Sequence, residues 1–123
     1  TAFGGWQSRQ VASLFAEYAA EVARRFGDRV ASIVTMNEPW CVATLGHETG
    51  QFAPGLKNRR IATQVSHHLL LAHGLATQAM RPQTSAQWGI VRNHTPAYPA
   101  EASEAKLAGV AVASERFGAK IRD

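Results

Sequence analysis

Glu38 is the residue that most invites a chemical reading. It is the only carboxylate in the run "RVASIVTMNEPW", Arg29 to Trp40, and it follows the apolar residues Val30, Ile33, Val34 and Met36. A carboxyl group delivered at the end of an apolar strand can give up and take back a proton, which is what general acid/base catalysis needs. Asn37 beside it carries an amide that can donate a hydrogen bond to a hydroxyl. The plainer reading of Asn-Glu-Pro is a polar turn leaving a strand.

Other chemistry-bearing residues point elsewhere. His67, His68 and His73 resemble metal ligands in composition only. Adjacent histidines face different sides of a helix, and neither stands four residues from His73. They read as structural, and no metal and no cofactor is expected. Asn93 lies where a second short strand ends, either as a ligand contact or as a turn former. "NHT" at Asn93 matches a glycosylation sequon, but no secretory route is indicated. Tyr98 shares that loop. Cys41, the single cysteine, has no intrachain partner for a disulfide and reads as a small buried hydrophobe.

Periodicity supplies the elements that must position these residues. From Gln7 to Phe26 the apolar residues Val11, Leu14, Phe15, Tyr18, Ala19, Val22 and Phe26 form one helix face, with Ser8 as N-cap and Gly27 as the stop. Ala31 to Met36 is a short β-branched strand. Its apolar residues do not alternate cleanly with polar ones, which predicts a parallel strand covered on both faces. Glu38 to Asn58 is a long loop containing Gly46, Gly50, Pro54 and Gly55. Loops of that length inside compact domains are usually either functional or disordered. Asn58 caps a second helix, Arg59 to Met80, whose face holds Ile61, Val65, His68, Leu69, Ala72, Ala76 and Met80. Ala86 to Asn93 is the second strand. Glu101 to Phe117 is an Ala-rich helix interrupted by Gly109.

Helices alternating with strands give an α/β class with a parallel sheet and right-handed crossovers. The loops after the strands are long and polar, whereas those before them are short. That asymmetry places a site at the carboxyl ends of the strands. Two strands leave both sheet edges open, so the chain reads as a slice of a larger α/β domain.

The chain has 123 residues, is 46% hydrophobic and carries a formal net charge of +4, a globular composition about the size of one domain. The cations are scattered without interleaved aromatics, which excludes a nucleic-acid footprint. No apolar run is long enough to span a membrane, and the longest, "HHLLLAHGLATQAM", is broken by histidines and glycine. No signal peptide opens the chain, so a cytoplasmic location is the expectation.

Several motifs together carry a family resemblance: "GGWQSR" (Gly4 to Arg9), "FAEYA", "RFGDRV", "TMNEPW", "GHETGQFAPG" (Gly46 to Gly55), "HHLLLAHG" and "GIVRNHTPAYP". In order and spacing this stretch, about Gly4 to Pro99, resembles glycoside hydrolase family one, the retaining β-glucosidases and β-glycosidases. The resemblance implies an eight-stranded (β/α)8 TIM barrel. This chain would hold the helix after strand three, strands four and five, and the helices that follow them. A minimal barrel takes about 200 residues, so the chain is too short to close one alone.

The resemblance further implies that Glu38 is the general acid/base and that Asn37 contacts the sugar 2-hydroxyl. Trp40 either stacks on a sugar at the aglycone side or covers the end of the barrel core, and Asn93 is a possible sugar contact at the rim. The substrate would be a β-linked glucoside, galactoside or oligosaccharide, hydrolysed without a cofactor. The family's nucleophile, a Glu in a "TENG"-like motif on strand seven, does not occur in this sequence. Ile33 stands where the family usually has Trp, a change of packing. The end, "ASERFGAKIRD", leaves the family's aromatic-rich pattern. The expected parent is a retaining β-glucosidase, with this chain inactive and prone to self-association alone. The alternative is a non-catalytic α/β fragment with a binding or structural role.

Overall fold

The computed structural model describes residues 2–93 together with Tyr98 and Ala108. Among these, a 3₁₀ turn (Gly5–Gln7) leads into helix α1 (Gln10–Phe26), strand β1 (Ser32–Asn37), a π-helical segment (Cys41–Glu48), helix α2 (Arg59–Met80) and strand β2 (Gln87–Val91). β1 and β2 pair in parallel, with Ile33 opposite Trp88 and Val34 opposite Gly89. The chain divides into two compact units, Thr1–Arg92 and Asn93–Asp123. Within the second, Ala108 is helical and exposed. The rest of the expected helix Glu101 to Phe117 lies outside the described residues.

α2 follows its sequence pattern closely. Asn58 sits in an extended conformation, and its side chain accepts from the Ile61 N–H at 3.2 Å. Such a cap satisfies one of the N–H groups that a helix start leaves unpaired. Val65, His68, Leu69, Ala72, Ala76 and Met80 are all buried, as their spacing predicts.

α1 departs from expectation. It begins at Gln10 rather than Gln7, because Gly5–Gln7 forms its own tight turn, closed by the Ser8 N–H on the Gly5 carbonyl at 3.0 Å. Arg9 occupies the cap position and makes no side-chain cap bond. The buried stripe is Ala12, Ala19 and Ala23, while Tyr18 and Phe26 of the expected face are exposed. Small residues let the two helices approach closely. Ala19 and Ala23 cluster with Ala76 and Met80, and Phe15, Ile33 and Trp88 pack around them. Gly27 ends the helix in a right-handed conformation, so its value is space. A Cβ there would come within 2.4 Å of both the Ala23 carbonyl and Thr84, whose hydroxyl donates to the Gly27 carbonyl at 2.8 Å.

Two further expectations are corrected. β1 is covered on one face only: Ile33 and Thr35 are half-buried toward the helices, while Ser32 and Val34 are exposed. The stretch Glu38 to Asn58 is not wholly a loop, since it contains the Cys41–Glu48 segment. Pro39 lies in the helical turn leading into that segment. It suits the first position of a helix, where no N–H is needed. The remainder folds back along the segment. The N–H groups of Phe52, Leu56 and Asn58 donate to the carbonyls of Leu45, Gly46 and His47 at 2.9, 3.0 and 2.7 Å. Gly46 permits this approach, because a Cβ would lie 2.8 Å from the Ala53 carbonyl.

Candidate active site

The carboxyl end of β1 is built around a break in its alternation. The pairing shifts between Val34 and Asn37. Met36 packs onto a buried cluster of Ala43, Val65 and Leu69, while Asn37 is exposed. An irregularity of this kind re-aims the side chains that follow it. Without it, Asn37 would share the helix-facing side of Ile33 and Thr35.

Glu38 comes next, partly buried, with φ of 46°, the one non-glycine residue at positive φ among those described. Such a conformation costs a glutamate about 1–3 kcal/mol, and residues held this way concentrate at functional sites. Three hydrogen bonds hold Glu38 there. Its N–H donates to the Val91 carbonyl of β2 at 2.9 Å, and its carbonyl accepts from the Cys41 N–H at 2.9 Å. The Cys41 thiol donates to its Oε2 at 3.1 Å. The Glu38 backbone is thereby tied to both the neighbouring strand and the following helical turn, and its carboxyl group to that turn alone.

Behind this end, one polar chain ties α2 to both strands. The Thr35 hydroxyl donates to the Gly89 carbonyl at 3.1 Å. Its single hydrogen is used there, so the His73 Nδ1–H must donate to Thr35 Oγ1 across 2.8 Å. Burial holds the His73 pKa below its ordinary value, which favours the neutral ring, and the Thr35 contact places its proton on Nδ1. The two buried histidines bond to backbone instead. His68 Nδ1–H donates to the Trp6 carbonyl at 2.8 Å, and His47 Nδ1–H to the Val42 carbonyl at 2.9 Å. No three His, Cys, Asp or Glu side chains converge on a metal position among the described residues.

The residues singled out in the sequence are distributed unevenly. Asn37, Glu38 and Trp40 stand together at the β1 end, the first exposed and the other two partly buried. The cluster nearest to them gathers Trp6, Met36, Val42 and Ile61 at its edge, and Trp40 is not among these. Asn93 opens the second compact unit and is exposed, and Tyr98 in that unit is 81% exposed. Cys41, expected as a buried hydrophobe, is instead partly buried and bonded to Glu38. Its position three residues after Glu38 was the available signal, and it becomes informative only once the intervening turn is known to be helical. Within the described residues, no helix is long and apolar enough to cross a membrane.

With that geometry in view, comparison with known proteins is decisive for kinship. The sequence model for "Glycosyl hydrolase family 1" matches residues 1–120. A β-glucosidase of Agrobacterium sp. is 43% identical over 107 residues, covering 85% of this chain and 23% of the relative. β-Glucosidase A of Thermotoga maritima is 40% identical over 108 residues, covering 87% and 24%. Among solved structures, virulence factor SghA of Agrobacterium tumefaciens, determined with its substrate analog salicin, superposes with a TM-score of 0.86 at 36% identity, covering 95% of this chain and 26% of that one. The chain thus spans about a quarter of the length of the curated relatives it matches. Family 1 glycosidases have a TIM-barrel fold, and two parallel strands with their helices form a small piece of one. By sequence over nearly its whole length, and by the course of its backbone, the chain belongs to glycosyl hydrolase family 1.

Proposed function

We propose that this chain is the part of a retaining β-glycosidase, of β-glucosidase type, that supplies the general acid/base Glu38 and the sugar contact Asn37. It corresponds to the helix after barrel strand three, strands four and five, and the helices that follow. The nucleophile comes from outside the chain. The observation that supports this most is Glu38 itself: its backbone is held at positive φ at a strand end by two hydrogen bonds, and its carboxyl group accepts a third, beside an exposed amide. A solvated turn residue would need no such anchoring.

The chemistry follows from those two groups. A glycosidic oxygen leaves poorly until protonated. Glu38 donates its proton to that oxygen while a second carboxylate attacks the anomeric carbon, and the C–O bond to the aglycone breaks. The product is an alcohol and a covalent glycosyl-enzyme. Water then attacks the same carbon, Glu38 takes the water's proton, and the nucleophile is released with the configuration retained. The two carboxyl groups must lie about 5–5.5 Å apart for this sequence of steps. The Asn37 amide donates to the sugar 2-hydroxyl, a contact that strengthens in the transition state.

Because one carboxylate of the pair is missing, the chain alone should not hydrolyse aryl β-glucosides above background. Val34 is 51% exposed and Val91 40% exposed on the two strands, which supports association of the isolated chain. The test uses the barrel enzyme that carries this chain. Glu38→Ala should lower glycosylation by unactivated β-glucosides about 10²–10⁴-fold, the contribution of a general acid, and nearly spare dinitrophenyl glucosides. Equal loss on both substrates would reject the role.

A further inference from the structure

We propose that Cys41 is a positioning residue for Glu38: its thiol and its backbone N–H grip the glutamate at two points and fix which carboxyl oxygen carries the catalytic proton. The inference rests on the acid/base reading of Glu38 and adds a residue to it. Cys41 reaches Glu38 twice, N–H to carbonyl at 2.9 Å and Sγ to Oε2 at 3.1 Å. The helical turn beginning at Pro39 brings both groups back over the strand end, as the i, i+3 geometry of a tight helical start allows.

The two oxygens of Glu38 are therefore unequal. Oε2 accepts from the thiol when Glu38 is ionised. When Glu38 is protonated, a carbonyl-type Oε2 can still accept that bond. Oε1 is left to carry the proton toward the glycosidic oxygen, and later to take it from water. An arginine or lysine in the thiol's place would also orient the carboxyl group, but its charge would favour the anion and oppose proton donation. A thiol is a weak, uncharged donor. It can sort the oxygens without holding the group ionised. The same contact restrains the side-chain torsions of a residue whose backbone is already strained.

The experiment compares Cys41→Ala, Cys41→Ser and Glu38→Ala in the barrel enzyme that carries this chain. Each is assayed with an unactivated alkyl β-glucoside and with a dinitrophenyl β-glucoside. A 1 Å misplacement of a catalytic group costs about 10²-fold, and a lost weak donor that loosens rather than displaces the carboxyl should cost about ten-fold. Cys41→Ala should therefore lower kcat for the alkyl glucoside about ten-fold with KM unchanged, and spare glycosylation by the dinitrophenyl substrate. Cys41→Ser, which keeps a donor, should recover most of the loss. In a Glu38→Ala background, Cys41→Ala should have no further effect.

The readout is the ratio between two substrates in one preparation, so the amount of folded enzyme cancels. An unchanged ratio in Cys41→Ala, no recovery in Cys41→Ser, or an equal loss in the Glu38→Ala background would each overturn the proposal. If Glu38→Ala shows the leaving-group dependence and Cys41→Ala does not, only the role of Cys41 falls. If Glu38→Ala shows none, the acid/base reading falls and this proposal falls with it.

Discussion

The two faces of the β1–β2 sheet differ in what holds them. On one face Ile33 and Trp88 pack against Ala19, Ala23, Ala76 and Met80, and Met36 packs against Ala43, Val65 and Leu69. On the other, Ser32, Val34 and Asn37 are exposed. The closed face is maintained by burial and the open face by its connection to it. The candidate catalytic carboxyl stands where the two meet, after the shift that carries Met36 inward and Asn37 outward. Packing is thus drawn from one side of the strand and the candidate site from its end, and substitutions should separate them.

The largest effect should come from emptying the closed face. Leu69 is 2% exposed, and Leu69→Ala should destabilise the chain by about 2–5 kcal/mol in urea unfolding, through lost burial and the cavity left behind. That is a large fraction of a domain's stability, which is about 5–15 kcal/mol. Val34→Thr on the open face should change stability by no more than about 0.5 kcal/mol. Similar losses at the two positions would erase the distinction between the faces.

Next in size is the polar tie between α2 and the strands. Thr35→Val removes the acceptor of the His73 N–H and the donor to the Gly89 carbonyl. Leaving such groups unpaired costs about 1–3 kcal/mol, measured in the same way. A pH dependence accompanies it. Burial lowers the His73 pKa from 6.5, so the unfolded chain binds this proton more readily than the folded one. The contribution is fully present above pH 6.5 and is lost as the pH falls through the folded pKa. His73→Asn offers an N–H that does not titrate and should flatten that part of the stability profile. An unchanged profile would show that His73 does not report on this tie.

A smaller loss than the tie's belongs to neither face. Asn58→Ala removes an exposed helix cap and should cost about 1 kcal/mol. A much larger loss would mean that the return of the Gly46–Asn58 stretch, and not the sheet, governs stability.

α2 was legible from end to end because all its signals agree: a capping Asn58, a steady apolar period and Pro82 beyond its last turn. α1 was legible as a helix but not in its buried stripe. Tyr18 and Phe26 continue the apolar period yet lie exposed, because among the described residues no strand or helix packs over that side. The strands were placed to within two residues at each end, while the coverage of β1 was misjudged. An apolar strand announces that both its faces can be buried, not that this stretch of chain supplies both covers. Residues 41–48 were missed as a helix because their apolar residues carry no 3.6-residue period, and a π-helical segment does not follow one.

At the candidate site, Asn37, Glu38 and Trp40 fall within one short stretch of sequence and could be read from it directly. The Cys41 contact and the Thr35–His73 tie could not, since they depend on a turn and on a pairing of distant elements. No local pattern encodes a bond between residues separated by 38 positions.

The most direct test of Glu38 as acid/base uses the barrel enzyme carrying this chain with Glu38→Ala, a dinitrophenyl β-glucoside and azide. The first step needs little protonation, so a glycosyl-enzyme should accumulate because no base remains to activate water. Azide requires no base and should fit the vacated space. It should restore turnover and yield the β-glycosyl azide, the product of two inversions. An α-glycosyl azide would make Glu38 the nucleophile and reverse the assignment. Unchanged hydrolysis without azide would reduce the residue to a turn at the end of a strand.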